Sequence, residues 1–215
     1  MKKIIVVFLV VVFLSGCGSY VNEADIILEP IKWTSAESFI GIEYENLNFG
    51  VLVTNNGQAT VQVDIKADYY SKEGYWLDET DRNRALALGA GQKIFIPVSV
   101  YEEETYYVEY SLKSLQSSNY KLLTAGFDKS NDIIFEFDFE DKEVIITNTT
   151  PYETWGCGIQ FFFYDTNGNI INVETVSGGQ IPAGKTVSGS CYIGEYIQSN
   201  AYAYYETVGL AYYHK

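Results

Sequence analysis

The chain has 215 residues, 14 basic and 28 acidic, a formal net charge of −14 and one histidine, His214. With 47% hydrophobic and 16% aromatic residues it can bury a core, which excludes a disordered chain. The acidic balance argues against nucleic-acid binding, and the lone histidine argues against His-ligated zinc, Ser-His triads and Cys-His pairs.

Lys2 and Lys3 open the chain with positive charge, and Ile4 to Leu14 is an unbroken apolar run. That run is too short to cross a hydrocarbon core of about 30 Å as a helix and has the length of a signal-peptide core. Leu14-Ser15-Gly16-Cys17 follows. This motif resembles the lipobox of bacterial lipoproteins. The resemblance implies cleavage before Cys17 and acylation (palmitate) of its thiol, against the alternatives of an ordinary secretory signal or an uncleaved anchor. Residues 1–16 are then a signal peptide and 17–24 a lipid-anchored tether. The expected location is the extracytoplasmic face of the cell membrane, in a compartment that permits disulfides. Two or more acyl chains would hold the protein there stably, where one alone is marginal.

The remaining chain contains an internal repeat. Ile40-Gly41-Ile42-Glu43-Tyr44-Glu45 reads like Ile133-Ile134-Phe135-Glu136-Phe137-Asp138, and Val51-Leu52-Val53-Thr54-Asn55 reads like Val144-Ile145-Ile146-Thr147-Asn148. Tyr70 and Gly74 match Tyr164 and Gly168, Gly91 matches Gly184, Val98 matches Cys191, and Tyr110 matches Tyr205. Two homologous domains are expected, 25–116 and 117–215, each the size of an immunoglobulin-like (Ig-like) sandwich of about 90–100 residues. The expected fold class is all-β: two tandem Ig-like antiparallel β-sandwich domains after a lipoprotein signal peptide.

The local pattern supports this. Val61, Val63, Ile65, Ala67 and Tyr69 alternate with polar residues, which predicts a strand with one buried and one wet face. Trp155, Cys157, Ile159, Phe161 and Phe163 are expected on the matching inward face of the second repeat. Ile94, Ile96, Val98 and Val100 are matched by Val187, Gly189, Cys191 and Ile193. Turns are expected at Asn55-Asn56-Gly57, Lys72-Glu73-Gly74, Gly89-Ala90-Gly91, Asn167-Gly168 and Ala183-Gly184.

The Phe161-Phe162-Phe163-Tyr164-Asp165 run resembles the signature of the FxLYD domain, a bacterial Ig-like sandwich, with Phe163 in place of its Leu. Ile146-Thr147-Asn148, Gly168 and Ile181-Pro182-Ala183-Gly184-Lys185 fit its frame. The first repeat keeps only the tyrosine of the signature, in Ala67-Asp68-Tyr69-Tyr70-Ser71. The resemblance implies fold and location and carries no general activity.

Cys157 and Cys191 form an even pair on inward faces of different strands. Their spacing suits a disulfide between the sheets, worth roughly 3–4 kcal/mol in the chain-entropy model, with two buried thiols in place of Val63 and Val98 as the alternative. The acidic groups Asp78/Glu79/Asp81, Glu102-Glu103-Glu104 and Asp138/Glu140/Asp141 read as solvated loops. Asp165-Thr166-Asn167-Gly168-Asn169 reads as a hairpin turn, because a calcium loop needs glycine at Ile170 and glutamate at Val176. No metal, cofactor or nucleic-acid partner is expected.

Tyr75 and Trp76, just past a turn, and Tyr202 and Tyr204, expected outward if Tyr205 packs inward, are the candidate binding surface; the favoured alternative is that they are cross-strand pairs covering the sheet or contacts between the two domains. The expected function is a non-catalytic binding or presentation module for an envelope protein or glycan, joined to the membrane through Cys17. The alternatives are a structural spacer and, remotely, a carboxylate-dependent hydrolase.

Overall fold

A computed structural model describes residues 21–39, 42–98, 104–138, 143–190 and 202–214. Apart from a 3-10 turn at Glu23–Asp25, capped by the Asn22 side chain, the regular elements described are strands. β1 (Ile26–Phe39), β2 (Ile42–Asn55), β3 (Val61–Tyr70), β4 (Trp76–Leu88), β5 (Lys93–Val98) and β6 (Tyr107–Ser117) make two sheets, ordered β1-β2-β5 and β4-β3-β6. β7 (Tyr120–Leu123), β8 (Ala125–Gly126), β9 (Ile133–Asp138), β10 (Glu143–Asn148), β11 (Gly156–Tyr164), β12 (Ile170–Ser177), β13 (Thr186–Ser190) and β14 (Tyr204–His214) make two more, ordered β13-β10-β9-β8 and β12-β11-β14-β7. All pairings are antiparallel except the short β8–β9 pair.

Each pair of sheets encloses its own core. Val51, Val53, Val63, Ile65, Leu88 and Ile96 fill the first; Phe135, Ile146, Ile159, Phe161 and Phe163 fill the second. In β3 every second residue is buried, as the alternation predicts, because the opposite face meets water. Tyr110 packs against the first core, as expected. The five expected turns are present, and Gly74, Gly91, Gly168 and Gly184 take positive φ in four of them.

The repeat is visible in the topology, with β1 to β6 arranged like β9, β10, β11, β12, β13 and β14. It also corrects two of the matches. Ile133–Asp138 is β9, and its counterpart is the start of β1: Ile133 pairs with Asn148 as Ile26 pairs with Asn55. Ile42–Glu45 belongs instead to β2, and Ile40 and Gly41 lie outside the described residues. Tyr204, not Tyr205, occupies the place of an aromatic in the first repeat: Tyr164 pairs with Tyr204 as Tyr70 pairs with Tyr107. Tyr110 corresponds to Thr207.

Both units share a buried asparagine. Asn55 Nδ2 donates to the carbonyls of Ala59, Leu88 and Gly89, and Asn148 Nδ2 donates to those of Tyr152, Ile181 and Pro182. Asn55 Oδ1 accepts from the Gly57 N–H, and Asn148 Oδ1 from the Thr150 N–H and hydroxyl. Each asparagine thus ties its own loop to the loop opposite at one end of its sandwich, and its side-chain oxygen gives the Gly57 or Thr150 N–H an acceptor. Asn148 is 0% exposed, so the Asn148-Thr149-Thr150 sequon presents no accessible amide.

The two sandwiches pack face to face. Ile31, Leu52 and Phe95 from sheet β1-β2-β5 bury against Phe162 and Val173 from sheet β12-β11-β14-β7. The result is four stacked layers with three apolar seams. β11 therefore departs from the expected pattern: its second face is dry, with Gln160 and Phe162 as buried as Phe161 and Phe163. Trp155 departs too. It sits before β11 and is exposed.

Gln160, 4% exposed, explains how a polar residue fits in that seam. Its Nε2 donates to the Phe95 carbonyl at 2.6 Å and its Oε1 accepts from the Phe95 N–H at 2.8 Å. The side-chain amide satisfies both backbone groups of an edge-strand residue, as a neighbouring strand would. The Phe95 ring lies across Gly50, where a Cβ would stand 2.1 Å from it. Lys93 pairs with Glu206 at 2.8 Å, and the Tyr164 hydroxyl donates to the same carboxylate at 3.0 Å. Lys93 first and Tyr164 second hold the Glu206 carboxyl below its ordinary pKa. The equivalent outward residues of β3 are Gln62, Asp64, Lys66 and Asp68, so the matching face of the first unit is left to solvent.

Candidate functional site

The end of the first sandwich away from Val21 carries an aromatic row. β1 enters beside Asn55 at one end, and β3 closes the other end at Tyr70. Across the outer face there, Trp76 pairs with Tyr70 and Tyr70 with Tyr107. The Tyr70 and Tyr107 rings stack at 4.9 Å, nearly parallel.

The turn Ser71–Tyr75 sets this up. Ser71 N–H donates to the Tyr75 carbonyl and Gly74 N–H to the Ser71 carbonyl. The Ser71 hydroxyl accepts from the N–H groups of Glu73 and Tyr75. Gly74, at φ 85°, allows the close reversal, and it lies under the Tyr107 hydroxyl. Tyr75 is then 71% exposed and Trp76 55% exposed. The Trp76 indole N–H donates to Asp68 Oδ1 at 3.3 Å, while Lys66 Nζ bridges Asp68 at 3.0 Å and Glu79 at 2.7 Å. Tyr106, also exposed, donates its N–H to the Tyr70 carbonyl and lies under Lys32 Nζ, 4.2 Å from the ring centre. Flat rings are thus bordered by carboxylates and ammonium groups. Such a surface can stack on the C–H face of a sugar ring and hydrogen-bond its hydroxyls.

The four residues expected to form one surface do not. Tyr75 and Trp76 are as expected. Tyr204 is exposed but stacks on Tyr164 at 4.7 Å, on the side that meets the first unit. Tyr202 is not outward: it packs on the buried Phe163 at 5.1 Å, against the second core. Tyr70, Tyr106 and Tyr107 were missed. The signal for Tyr70 was its place on the wet face of an alternating strand; for Tyr107 it is long-range pairing, which no local pattern gives.

Asp165 caps the next turn. Its carboxylate accepts from Asn169, through both side chain and backbone, and from the Asn167 N–H, and these bonds lower its pKa. This is a hairpin turn, as expected. Asp64, Asp128, Asp165 and Glu206 are the described carboxyl groups with displaced pKa, and all four are lowered, whereas an acid catalyst needs a raised one. Among the described residues no group of three or more His, Cys, Asp or Glu could hold a metal ion. An open cavity of about 440 Å³ between the units is lined by Glu29, Lys32, Leu52, Lys93, Tyr164 and Ile170, and both lysines are already engaged by Tyr106 and Glu206.

Cys157 is a free thiol buried in the second core, and burial pushes its pKa up to about 12. Cys191, Cys17, Val100, Ile193, Glu102, Glu103, Glu140 and Asp141 lie outside the described residues. Iodoacetamide at pH 8 is expected to leave Cys157 unmodified in the native protein, since thiolate and access are both lacking. Peptide mass spectrometry would check this; rapid native labelling would contradict it.

Among the described residues no helix is long and apolar enough to cross a membrane. Compared with family models and with curated proteins, the chain matches none of them.

Proposed function

We propose that this chain is a lipid-anchored bacterial envelope protein, held through Cys17 on the extracytoplasmic face of the membrane and acting as a non-catalytic binding module for a glycan. The observation that carries the reading is the Trp76–Tyr70–Tyr107 row, with Tyr75 beside it, at the end of the first sandwich opposite Val21. A ligand displayed away from the membrane meets those rings first. The lipobox supports the anchor, and the carboxylates of Asp68 and Glu79 supply acceptors for sugar hydroxyls. The Ig-like fold of the FxLYD resemblance suits the same role.

The face-to-face packing of the two sandwiches favours a second reading, a rigid spacer on the membrane surface. Binding separates the two. Co-sedimentation of the purified protein with insoluble glycans (peptidoglycan, chitin, cellulose) should show retention on at least one. The Tyr75→Ala/Trp76→Ala variant should lose at least about tenfold in affinity, as for a pair of hot-spot aromatics. Retention unchanged by the substitutions, or none on any glycan, favours the spacer.

A further inference from the structure

We infer that the end of the molecule nearest Val21 rests on a phospholipid surface, with Trp155 at the headgroup level. The inference rests on the lipid-anchor reading of Cys17.

A second aromatic group marks that end. Tyr120 makes edge contacts with Tyr212 at 5.1 Å and His214 at 5.3 Å, and Trp155 lies 6.4 Å from both Tyr120 and His214. Trp155 is 50% exposed. Tyr212 can lie flat across β11 because residue 156 is glycine; a Cβ there would stand 2.5 Å from its ring. Nearby, Tyr152 stacks on Tyr213 at 4.3 Å. Tryptophan and tyrosine with one face covered and one face wet are the side chains that favour a membrane–water interface.

Hydrogen bonds place this group at the N-terminal end. The Asp25 carbonyl accepts from Asn56, and Asn55 reaches Leu88 and Gly89. Leu122 packs on Gly89. Ser118 donates its N–H to Thr60, and its hydroxyl accepts from the N–H of Tyr120. From Val21 back to Cys17 is four residues, a reach of at most about 14 Å. An acylated Cys17 therefore keeps this end close to the bilayer.

Charge at this end is mixed. Lys121, Lys129 and Lys185 are exposed there, and so are Glu23, Asp128 and Glu153. The contact is therefore carried by the rings and by the anchor's short reach, not by attraction to anionic lipid.

The test uses the full-length protein in phosphatidylcholine/phosphatidylglycerol vesicles with brominated acyl chains, after its mass confirms acylation. Two single-tryptophan proteins are compared. Trp33→Phe/Trp76→Phe keeps Trp155, and Trp33→Phe/Trp155→Phe keeps Trp76 at the opposite end. Trp155 emission should fall about twofold and Trp76 emission should not change. Trp155→Phe alone, which leaves the packed Trp33 in place, should abolish most quenching of the parent protein. Equal quenching of both, or of neither, in acylated protein overturns the inference and leaves the anchor standing. A Cys17 that carries no lipid overturns the anchor reading and this inference together.

Discussion

Asn148→Leu is expected to destabilise the second sandwich by about 3–5 kcal/mol, measured as a lowered urea midpoint at unchanged m-value. The three carbonyls of Tyr152, Ile181 and Pro182 would lose their shared donor in a site closed to water. Each carbonyl keeps a second donor, the Thr150 hydroxyl, the Thr154 N–H and the Lys185 N–H respectively, so each lost amide bond costs only about 0.5–1.5 kcal/mol; the buried Thr150 N–H, which loses its Oδ1 acceptor, adds about 1–3 kcal/mol. Asn148→Asp keeps the shape but turns a carboxylate toward three carbonyl oxygens, so it should be at least as damaging. Wild-type stability in Asn148→Asp would show that the amide donor is unimportant. Asn55 stands in the same position in the first unit, with the same three-way bond set.

Phe95→Ala is the second large effect, expected to cost about 3–5 kcal/mol. The ring is 2% exposed, lies over Gly50, and meets Phe162 and Trp33 edge-on at 6.4 Å and 5.4 Å. Its removal empties the centre of the seam between the units while leaving each unit's own core intact. Calorimetry should therefore show one transition in the parent protein resolve into two, with the units melting separately. A single transition at the original temperature would mean that the seam does not couple them.

These two sites differ in how far sequence reveals them. Asn55 and Asn148 stand out as matched residues after matched apolar runs, so the repeat exposes the position though not its three carbonyls. Phe95 and Phe162 do not stand out. Phe162 was expected on a wet face because β3 has one, and Tyr202 was expected outward by extending strand alternation to it, whereas β14 begins only at Tyr204; Tyr205 does face inward, opposite Phe163. The only local sign was the unbroken run Phe161-Phe162-Phe163, since adjacent strand residues point to opposite sides and three aromatics in a row require two covered faces. The aromatic row was half visible: Tyr75 and Trp76 follow a turn, whereas Tyr107 joins Tyr70 only through pairing between distant strands.

Sequence alone determined the strand character, the duplicated unit, the turns and the inward set of β3, because period-two burial and turn chemistry are local. It also provides Leu14-Ser15-Gly16-Cys17, the linear motif on which the lipid-anchor proposal rests. Only the tertiary structure decided which sheet faces outside each core meet protein and which meet water. Alternation says that a strand has two faces and says nothing about what covers the second. That is how the same repeat gives a solvated Asp64-Lys66-Asp68 face in one unit and a buried Gln160-Phe162 face in the other.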